Sequence, residues 1–527
     1  MDTDPIFQPL RLGNVEVKNR LFRSNVTGRF DNYDGSGTQA RINWEVSFAR
    51  GGVGAIISSF VPVHVSGRVQ PNYAHIDHDD KIRFWRAVGE AVHRHDCRYI
   101  LQLSHSGRQR DLPGVENHIR PAWTSTNRRD WFHGLLAKAM SETEIRQVVE
   151  MFAAGARRAR EAGLDGVELH ATHGYLFTQF LSSAINDRTD QYGGNLENRA
   201  RFLSEVVQAI RREVGRDFLL GAKINAVDFE DAVYPWRSAG DGLAESIQVS
   251  RWLERLGVDY LHISIGSTFP SPLLPPGGMP LDESNWWYGI MASSGTRSPL
   301  NYAAFHLRIL RPLFKLFWNR SKRWRPVEGV SAELAREIKK SVSIPVLSTG
   351  GYQDARLIRK VITEGWVDAV SIARPLIANR NLPQIIQSGR DLPDKPCSFC
   401  NRCLINAIYN PLACYDLRRF GDDYAEMLRT AMEVFDPPGS YLTDVPPPSP
   451  KPKELYLLPP HVVSLGTGTD RIAVGAPILP TGVHQLEDRV SDDPVDEIQR
   501  KWRRRALYGV GALVLAVLAL CRRGSRG

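Results

Sequence analysis

Cysteine is scarce in this sequence, with six in 527 residues, which excludes a disulfide-held scaffold. Four of them, Cys397, Cys400, Cys403 and Cys414, fall within 18 residues. That clustering points to metal ligation or redox chemistry in a reducing compartment. Long apolar runs are missing too, apart from Ala506 to Leu520 near the carboxyl end. The opening Met1-Asp2-Thr3-Asp4-Pro5 has neither a basic nor an apolar stretch, so no secretory signal is expected. Net positive charge is absent from most of the chain despite an overall net charge of +9. Residues 500–527 and 285–327 each carry eight Lys or Arg and no acid, so the remainder sums to −7. A basic face for nucleic acid is therefore not expected, and a membrane surface is the better partner for the two basic, apolar-rich patches. With 42% hydrophobic and 24% charged residues, general disorder and fibrous structure are excluded.

What is present reads as alternating strands and helices. Eight short β-branched or apolar runs recur: Arg20 to Ser24, Ala55 to Phe60, Tyr99 to Ser104, Gly166 to Ala171, Leu220 to Ala226, Tyr260 to Gly266, Ile344 to Gly350 and Ala369 to Pro375. Helical periodicity fills the intervals, most clearly after Ser141, where Glu144 completes a capping pattern and Gly163 provides a stop. Eight β/α units over residues 1–435 predict an α/β fold, a (β/α)8 TIM barrel. An insertion at about 285–327 separates the sixth and seventh strands. Within it, Tyr302 to Trp324 interleaves aromatic and aliphatic residues with basic ones. Such a helix suits either a membrane interface or a lid or subunit-packing arm. Residues 436–505 read as a linker, with eleven prolines between Asp436 and Pro480. Residues 506–521, flanked by arginines, are expected to be a single membrane-anchor helix, followed by a basic tail at 522–527. That arrangement would place the barrel on the cytoplasmic side.

The sharpest chemical signal is Glu168-Leu169-His170-Ala171-Thr172-His173-Gly174-Tyr175. It closes the fourth strand, at the barrel rim where catalytic groups gather. Two imidazoles three residues apart can polarise a carbonyl oxygen, and the phenol two residues later can deliver a proton to a neighbouring carbon.

The stretch from His170 to Phe202 resembles the Old Yellow Enzyme family in its Gln179-Phe180-Leu181-Ser182, Asn186-Asp187-Arg188, Tyr192-Gly193-Gly194 and Glu197-Asn198-Arg199 segments. The similarity extends over residues 5 to 420, through Gly51-Gly52-Val53-Gly54, Leu101-Gln102-Leu103-Ser104-His105 and Ser348-Thr349-Gly350-Gly351. The resemblance implies a TIM barrel that binds FMN, takes hydride from NAD(P)H and passes it to a small electrophilic alkene. His170 and His173 would bind the substrate oxygen and Tyr175 would protonate the α carbon. Thr27, Gln102, Lys223, Gly350, Gly351, Ala373 and Arg374 would hold the flavin and its phosphate. Gln102 offers both a donor and an acceptor, and Lys223 a cation where negative charge accumulates on a reduced flavin. Departures from the family pattern are Asn25 in place of Pro, Lys223 in place of Arg, Ala373 in place of Gly, and a bulky Phe60 expected to narrow the cavity.

The cysteine segment 397–414 resembles that of the dienoyl-CoA reductase and trimethylamine dehydrogenase branch. It is compatible with a [4Fe-4S] cluster, with zinc, or with buried free thiols. No G-x-G-x-x-G unit follows Cys414, so electrons from a cluster would need an external partner. Three readings follow: an ene-reductase-like NAD(P)H:flavin oxidoreductase, an iron-sulfur flavoprotein dehydrogenase or demethylase, and a non-catalytic membrane-tethered binding module. The joint presence of His170, His173, Tyr175, Gln102 and Lys223 favours the first. An oligomer is compatible with all three.

Overall fold

The computed structural model describes residues 4–26, 28–110, 121–130, 134–230, 238–267, 273–285, 295–321, 327–408 and 410–435. Eight parallel strands close a barrel: β1 (Leu21–Arg23), β2 (Ala55–Ile57), β3 (Arg98–Ser104), β4 (Gly166–Ala171), β5 (Leu219–Asn225), β6 (Tyr260–Ser264), β7 (Val346–Thr349) and β8 (Ala369–Ile372). Each pairs with the next, and β8 pairs back with β1. The eight strands expected from the sequence are all present, the fourth with identical ends and the others with ends shifted by at most three residues. Helices α1 (Gln39–Arg50), α2 (Ile82–His93), α3 (Glu142–Glu161), α4 (Leu196–Val214), α5 (Leu243–Leu256), α6 (Ala332–Lys339) and α7 (Ala355–Thr363) follow β1 to β7 in turn. The capping box at α3 is made: Glu144 N donates to Ser141 Oγ at 3.3 Å, and Ser141 N donates to Glu144 Oε2 at 2.9 Å.

Strand alternation sorts the barrel residues. Val167 and Leu169 of β4 join the large apolar layer between strands and helices, so Glu168 and His170 face the interior. The lower interior is apolar and closed by an unforeseen element. An antiparallel hairpin, Leu10–Leu12 with Val15–Val17, packs Leu10, Leu12 and Val17 against Phe22, Ala55, Leu219 and Ala369. Those four sit at or near the starts of their strands, so the hairpin plugs the amino-terminal mouth. Polar chemistry is thereby left to the opposite rim.

The insertion between β6 and β7 departs from expectation. Tyr302 to Trp324 is not one helix: a helix at Ser298–His306 is followed by a 3-10 turn at Arg308–Leu310 and a second helix at Arg311–Ser321. Pro312 explains the break. Its ring nitrogen cannot donate within a helix but suits a first turn. The chain returns to the barrel after β8: Val434 and Phe435 are buried, and Asn43 Nδ2 of α1 donates to Val434 O at 2.9 Å. The proposed linker, anchor helix and basic tail at 436–527 lie outside the described residues, as does Thr27. No described helix is long and apolar enough to cross a membrane.

Helix α1 is tied to the barrel by buried charge. Arg23 of β1 pairs with Glu45, and Arg41 pairs with Asp31 and lies 3.6 Å from Glu45, all essentially without solvent exposure. Removing one partner strands a buried charge, at a cost of about 3 to 5 kcal/mol. Glu45→Ala should lose that much in a urea or thermal unfolding experiment. A loss below about 1 kcal/mol would show that water reaches Arg23.

Candidate active site

Register sets the floor of the site. Across β4, β5 and β6, His170, Lys223 and His262 lie side by side, while one layer below Glu168, Gly221 and Tyr260 do so. Glu168 is fully buried and has three donors. Gln102 Nε2 donates to its Oε1 at 2.8 Å, Tyr260 OH donates to its Oε2 at 3.0 Å, and His262 Nδ1 lies 3.0 Å from the same oxygen. Gly221 makes the tyrosine bond feasible, since a Cβ there would come within 2.1 Å of the Tyr260 ring. Burial pushes the Glu168 carboxyl up, but His262, Lys223 and Gln102 outweigh it and hold the group below the usual carboxylate range.

Above this floor a cavity of about 250 Å³ opens at the carboxyl ends of the strands. His170, His173, Tyr175, Lys223, Gly350, Gly351, Ala373 and Arg374 all line it, with Asn25 and Phe60. The structure thus brings together eight of the ten catalytic and flavin-binding residues expected from the sequence. Gln102 is buried beneath the lining, with its Oε1 unpartnered among the described residues, and Thr27 is outside them.

The two histidines belong to a chain of polar contacts. Ser104 Oγ lies 3.4 Å from His170 Nδ1, His170 Nε2 lies 3.4 Å from His173 Nδ1, and His173 Nε2 lies 2.8 Å from Ser264 Oγ. His173 is held there with φ of 63°, unusual for a residue with a side chain. Its backbone N donates to Gly266 O at 3.1 Å, and Gln109 Nε2 donates to Gly174 O at 2.5 Å. Gly174 is obligatory, because a Cβ would meet Ser267 O at 2.2 Å. Gln179 ties the loops after β3 and β4 together, donating to Ser106 O at 3.0 Å and Gly174 O at 2.7 Å and accepting from Arg108 N. The Tyr175 ring lies tilted 4.7 Å from His170 and meets Phe60 edge-on at 4.9 Å. Phe60 therefore does form the wall over the pair.

Sequence reasoning missed Ser264, Gln109 and the Glu168–His262 pair, and Tyr73, which also lines the cavity. Ser264 ends β6 at the catalytic rim, the one signal that could have singled it out.

At the far side of the cavity, Gly350 and Gly351 follow β7, and Gly351 has φ of 74°. A Cβ on Gly351 would meet Val327 O at 2.8 Å. Arg374 is buried and donates to Pro276 O at 2.7 Å and to Asn401 Oδ1 at 2.5 Å. Lys223 Nζ donates to Asn25 Oδ1 and lies 3.4 Å from Ser24 Oγ. Burial lowers the Lys223 ammonium to about 8, against a raising effect of Glu168.

Arg374 also borders a second, small void of about 20 Å³, ringed by Cys397, Cys400, Cys403 and Cys414. All four thiols are free. Burial pushes Cys397 up, Cys403 far up and Cys414 to about 11. Among the described residues, no three His, Cys, Asp or Glu side chains close on a single metal ion.

Four buried histidines stay neutral. Burial, aided by neighbouring cations and imidazoles, holds His105 at about 3, His262 at about 4, and His170 and His173 well below 6.5. The unfolded chain protonates these groups as pH falls through 6.5 while the folded chain does not. Each therefore removes about 1.4 kcal/mol of stability per pH unit below that point, until its folded pKa is reached. Unfolding free energies measured from pH 6.5 to 5 should fall accordingly, and His170→Asn should make the slope shallower. A flat profile would mean that the imidazoles titrate in the folded chain as they do in the unfolded one.

Residues 5–266 match the model of the NADH:flavin oxidoreductase / NADH oxidase family. An NADH oxidase of Thermoanaerobacter brockii is 31% identical over 397 residues, 75% of this chain and 52% of that protein. An NADPH dehydrogenase of Halalkalibacterium halodurans is 33% identical over 282 residues, 53% of this chain and 79% of that protein. Among solved structures, a 2-naphthoyl-CoA reductase in complex with 2-naphthoyl-CoA shares the fold, with a TM-score of 0.62 and 23% identity over 77% of this chain and 55% of that one. The chain spans about half the length of the first and third of these proteins. With the rim histidines, the barrel topology and the 33% identity over most of a shorter relative, the chain belongs to the NADH:flavin oxidoreductase / NADH oxidase family, that of the Old Yellow Enzymes.

Proposed function

We propose that this protein is an FMN-dependent NAD(P)H oxidoreductase that reduces an electron-poor alkene such as an α,β-unsaturated carbonyl. The chain of contacts Ser104–His170–His173–Ser264, with the Tyr175 ring beside it, carries the reading. Each serine hydroxyl can donate to the outer nitrogen of its imidazole, Ser104 in place of its 3.3 Å bond to Gln102 O. That leaves the N–H groups on His170 Nε2 and His173 Nδ1, which are 3.4 Å apart. Two N–H groups facing each other need a common acceptor, and a carbonyl or nitro oxygen meets that need. Because burial keeps both rings neutral, they polarise the oxygen without surrendering a proton to water. Tyr175, whose phenol burial pushes up, keeps its proton for the α carbon.

The residues present fit the flavin. Lys223, lowered to about 8, would be restored to full charge by an anionic ring edge. The unpartnered Gln102 Oε1 would accept a ring N–H, and the backbone of Gly350, Gly351 and Ala373 with the Arg374 guanidinium would hold the phosphate. Bound there, FMN supplies hydride transfer from NAD(P)H to the alkene β carbon. Thr27 remains an expected contact to its carbonyl edge. Lysine at position 223 keeps the charge of the family's usual arginine but not its bidentate geometry.

The cysteine segment supports a second reading. Four thiols around one void, with no three of them at single-ion spacing, suit a [4Fe-4S] cluster better than zinc, whose short bonds of about 2.3 Å would draw the sulfurs together. A cluster there would supply one-electron transfer to an external acceptor, the dehydrogenase or demethylase alternative. For the carboxyl-terminal residues 506–521, we keep the proposal of a membrane anchor with the barrel on the cytoplasmic side.

Two experiments test these readings. Tyr175→Phe should leave flavin reduction by NAD(P)H nearly unchanged and slow reoxidation by enones by roughly 10² to 10⁴; equal slowing of both half-reactions removes Tyr175 from proton delivery. Anaerobically prepared protein should contain iron and acid-labile sulfide that Cys400→Ser releases. Protein with neither iron nor zinc would leave the thiols structural.

A further inference from the structure

The insertion between β6 and β7 presents an apolar face that nothing among the described residues covers. Ile309, Leu313 and Leu316 are 78%, 62% and 67% exposed; Leu313 and Leu316, three residues apart, share one side of the helix Arg311–Ser321, and Ile309 lies in the 3-10 turn that leads into it. Four of the seven large exposed hydrophobic residues among those described belong to this arm, Leu300 being the fourth. The other side of the arm is packed. Phe314 meets Phe305 edge-on at 4.9 Å and stacks on Trp318 at 5.7 Å, and Phe305 and Leu281 are buried with Met279 and Tyr302 around them. The exposure is therefore not that of a loosely folded segment.

The arm is fixed to a segment that continues into the cavity wall. Arg311 Nη1 pairs with Asp282 Oδ1 at 2.7 Å. Glu283 pairs with Arg402 at 2.7 Å. These acids lie a few residues beyond Leu274, Pro275 and Pro276, which line the cavity beside Arg374. Whatever binds the exposed face is thus joined to the cavity wall through the short segment 274–283.

Charge selects the occupant. Residues 285–327 carry eight basic residues and no acid, and exposed Arg308 and Lys315 flank the apolar stripe. A second copy of the chain would oppose like charge to like charge, whereas an anionic lipid surface offers acyl chains for the leucines and headgroups for the cations. A different apolar segment, uninterrupted and flanked by arginines, lies at 503–523. An extended linker over the 70 residues 436–505, at about 3 Å per residue, would leave an anchor there unable to orient the barrel. A second contact is needed to do so. We propose that the face formed by Ile309, Leu313 and Leu316 docks on an anionic bilayer and that the adjoining cavity draws its substrate from that bilayer, an electron-poor alkene bearing a long apolar chain. The substrate half rests on the reductase reading above, and the docking half does not.

Hydrogen exchange of the full chain separates the two. On phosphatidylcholine vesicles containing about one-third phosphatidylserine, exchange in 308–321 should slow severalfold relative to pure phosphatidylcholine vesicles, with α3 unchanged, and high salt should reverse the effect. Equal exchange on both vesicles overturns the docking. Protection that appears without vesicles as protein concentration rises also overturns it, by assigning the face to a second copy. Leu313→Glu with Leu316→Glu, both exposed and remote from the chemistry, should abolish the protection. The double variant should also lower turnover of a long-chain enone dissolved in the vesicles by about tenfold, while turnover of cyclohexenone in water is unchanged. Equal loss on both acceptors overturns the substrate half. Failure of the wild-type protein to reduce either acceptor overturns the reductase reading and the substrate half with it, and leaves the exchange result to decide docking.

Discussion

A carboxylate with no access to water governs the centre of this barrel. Glu168 can stay ionised in the interior only if its oxygens are met by donors. Those donors come from β3 through Gln102 and from β6 through Tyr260 and His262. Three strands are thereby held in one register. A slip by a single residue would turn Glu168 outward into the apolar layer beneath the helices and bring a valine or leucine to the centre. The same register sets His170, Lys223 and His262 side by side one layer higher. The polar floor thus positions the residues that line the cavity above it.

The vertical order of the barrel follows. Below Glu168 the interior is apolar and plugged by the amino-terminal hairpin. Above it come a lysine, two neutral imidazoles and a phenol, with Phe60 against them. Desolvation keeps the imidazoles uncharged, which lets both act as hydrogen-bond donors to a single oxygen instead of as cations seeking a counterion. Arg374 lines both this cavity and the void among the cysteines. A change at those thiols would therefore be felt at the wall where a phosphate is expected.

Much of this was legible in the sequence, for a physical reason. Parallel strands buried on both faces must be continuous β-branched or apolar runs, so the eight strands stand out. A His-x-x-His-x-Tyr pattern at a strand end is equally visible, because its residues are close in the chain. Contacts that depend on closure were not legible. Ser264 meets His173 across 91 residues, and nothing local marks a serine as the partner of a histidine. Nothing local in the chain marks Glu168 as the centre of a buried network until β3 and β6 close around it. Gln102 reads as a flavin contact, yet one of its amide N–H groups is already given to Glu168. The hairpin plug was missed because its strands are only three residues long. Pro312 was visible, and its effect on the arm was underweighted against the apolar pattern around it.

The account stands or falls on whether electrons pass through this cavity to an alkene. The most direct measurement is an anaerobic spectrum of the purified full chain, first titrated with NADPH or NADH and then mixed with cyclohexenone. The structure calls for a yellow protein with stoichiometric flavin, bleached by the nicotinamide and restored by the enone. A colourless protein that does not take up added FMN, or a bleached one that the enone leaves bleached, would contradict it.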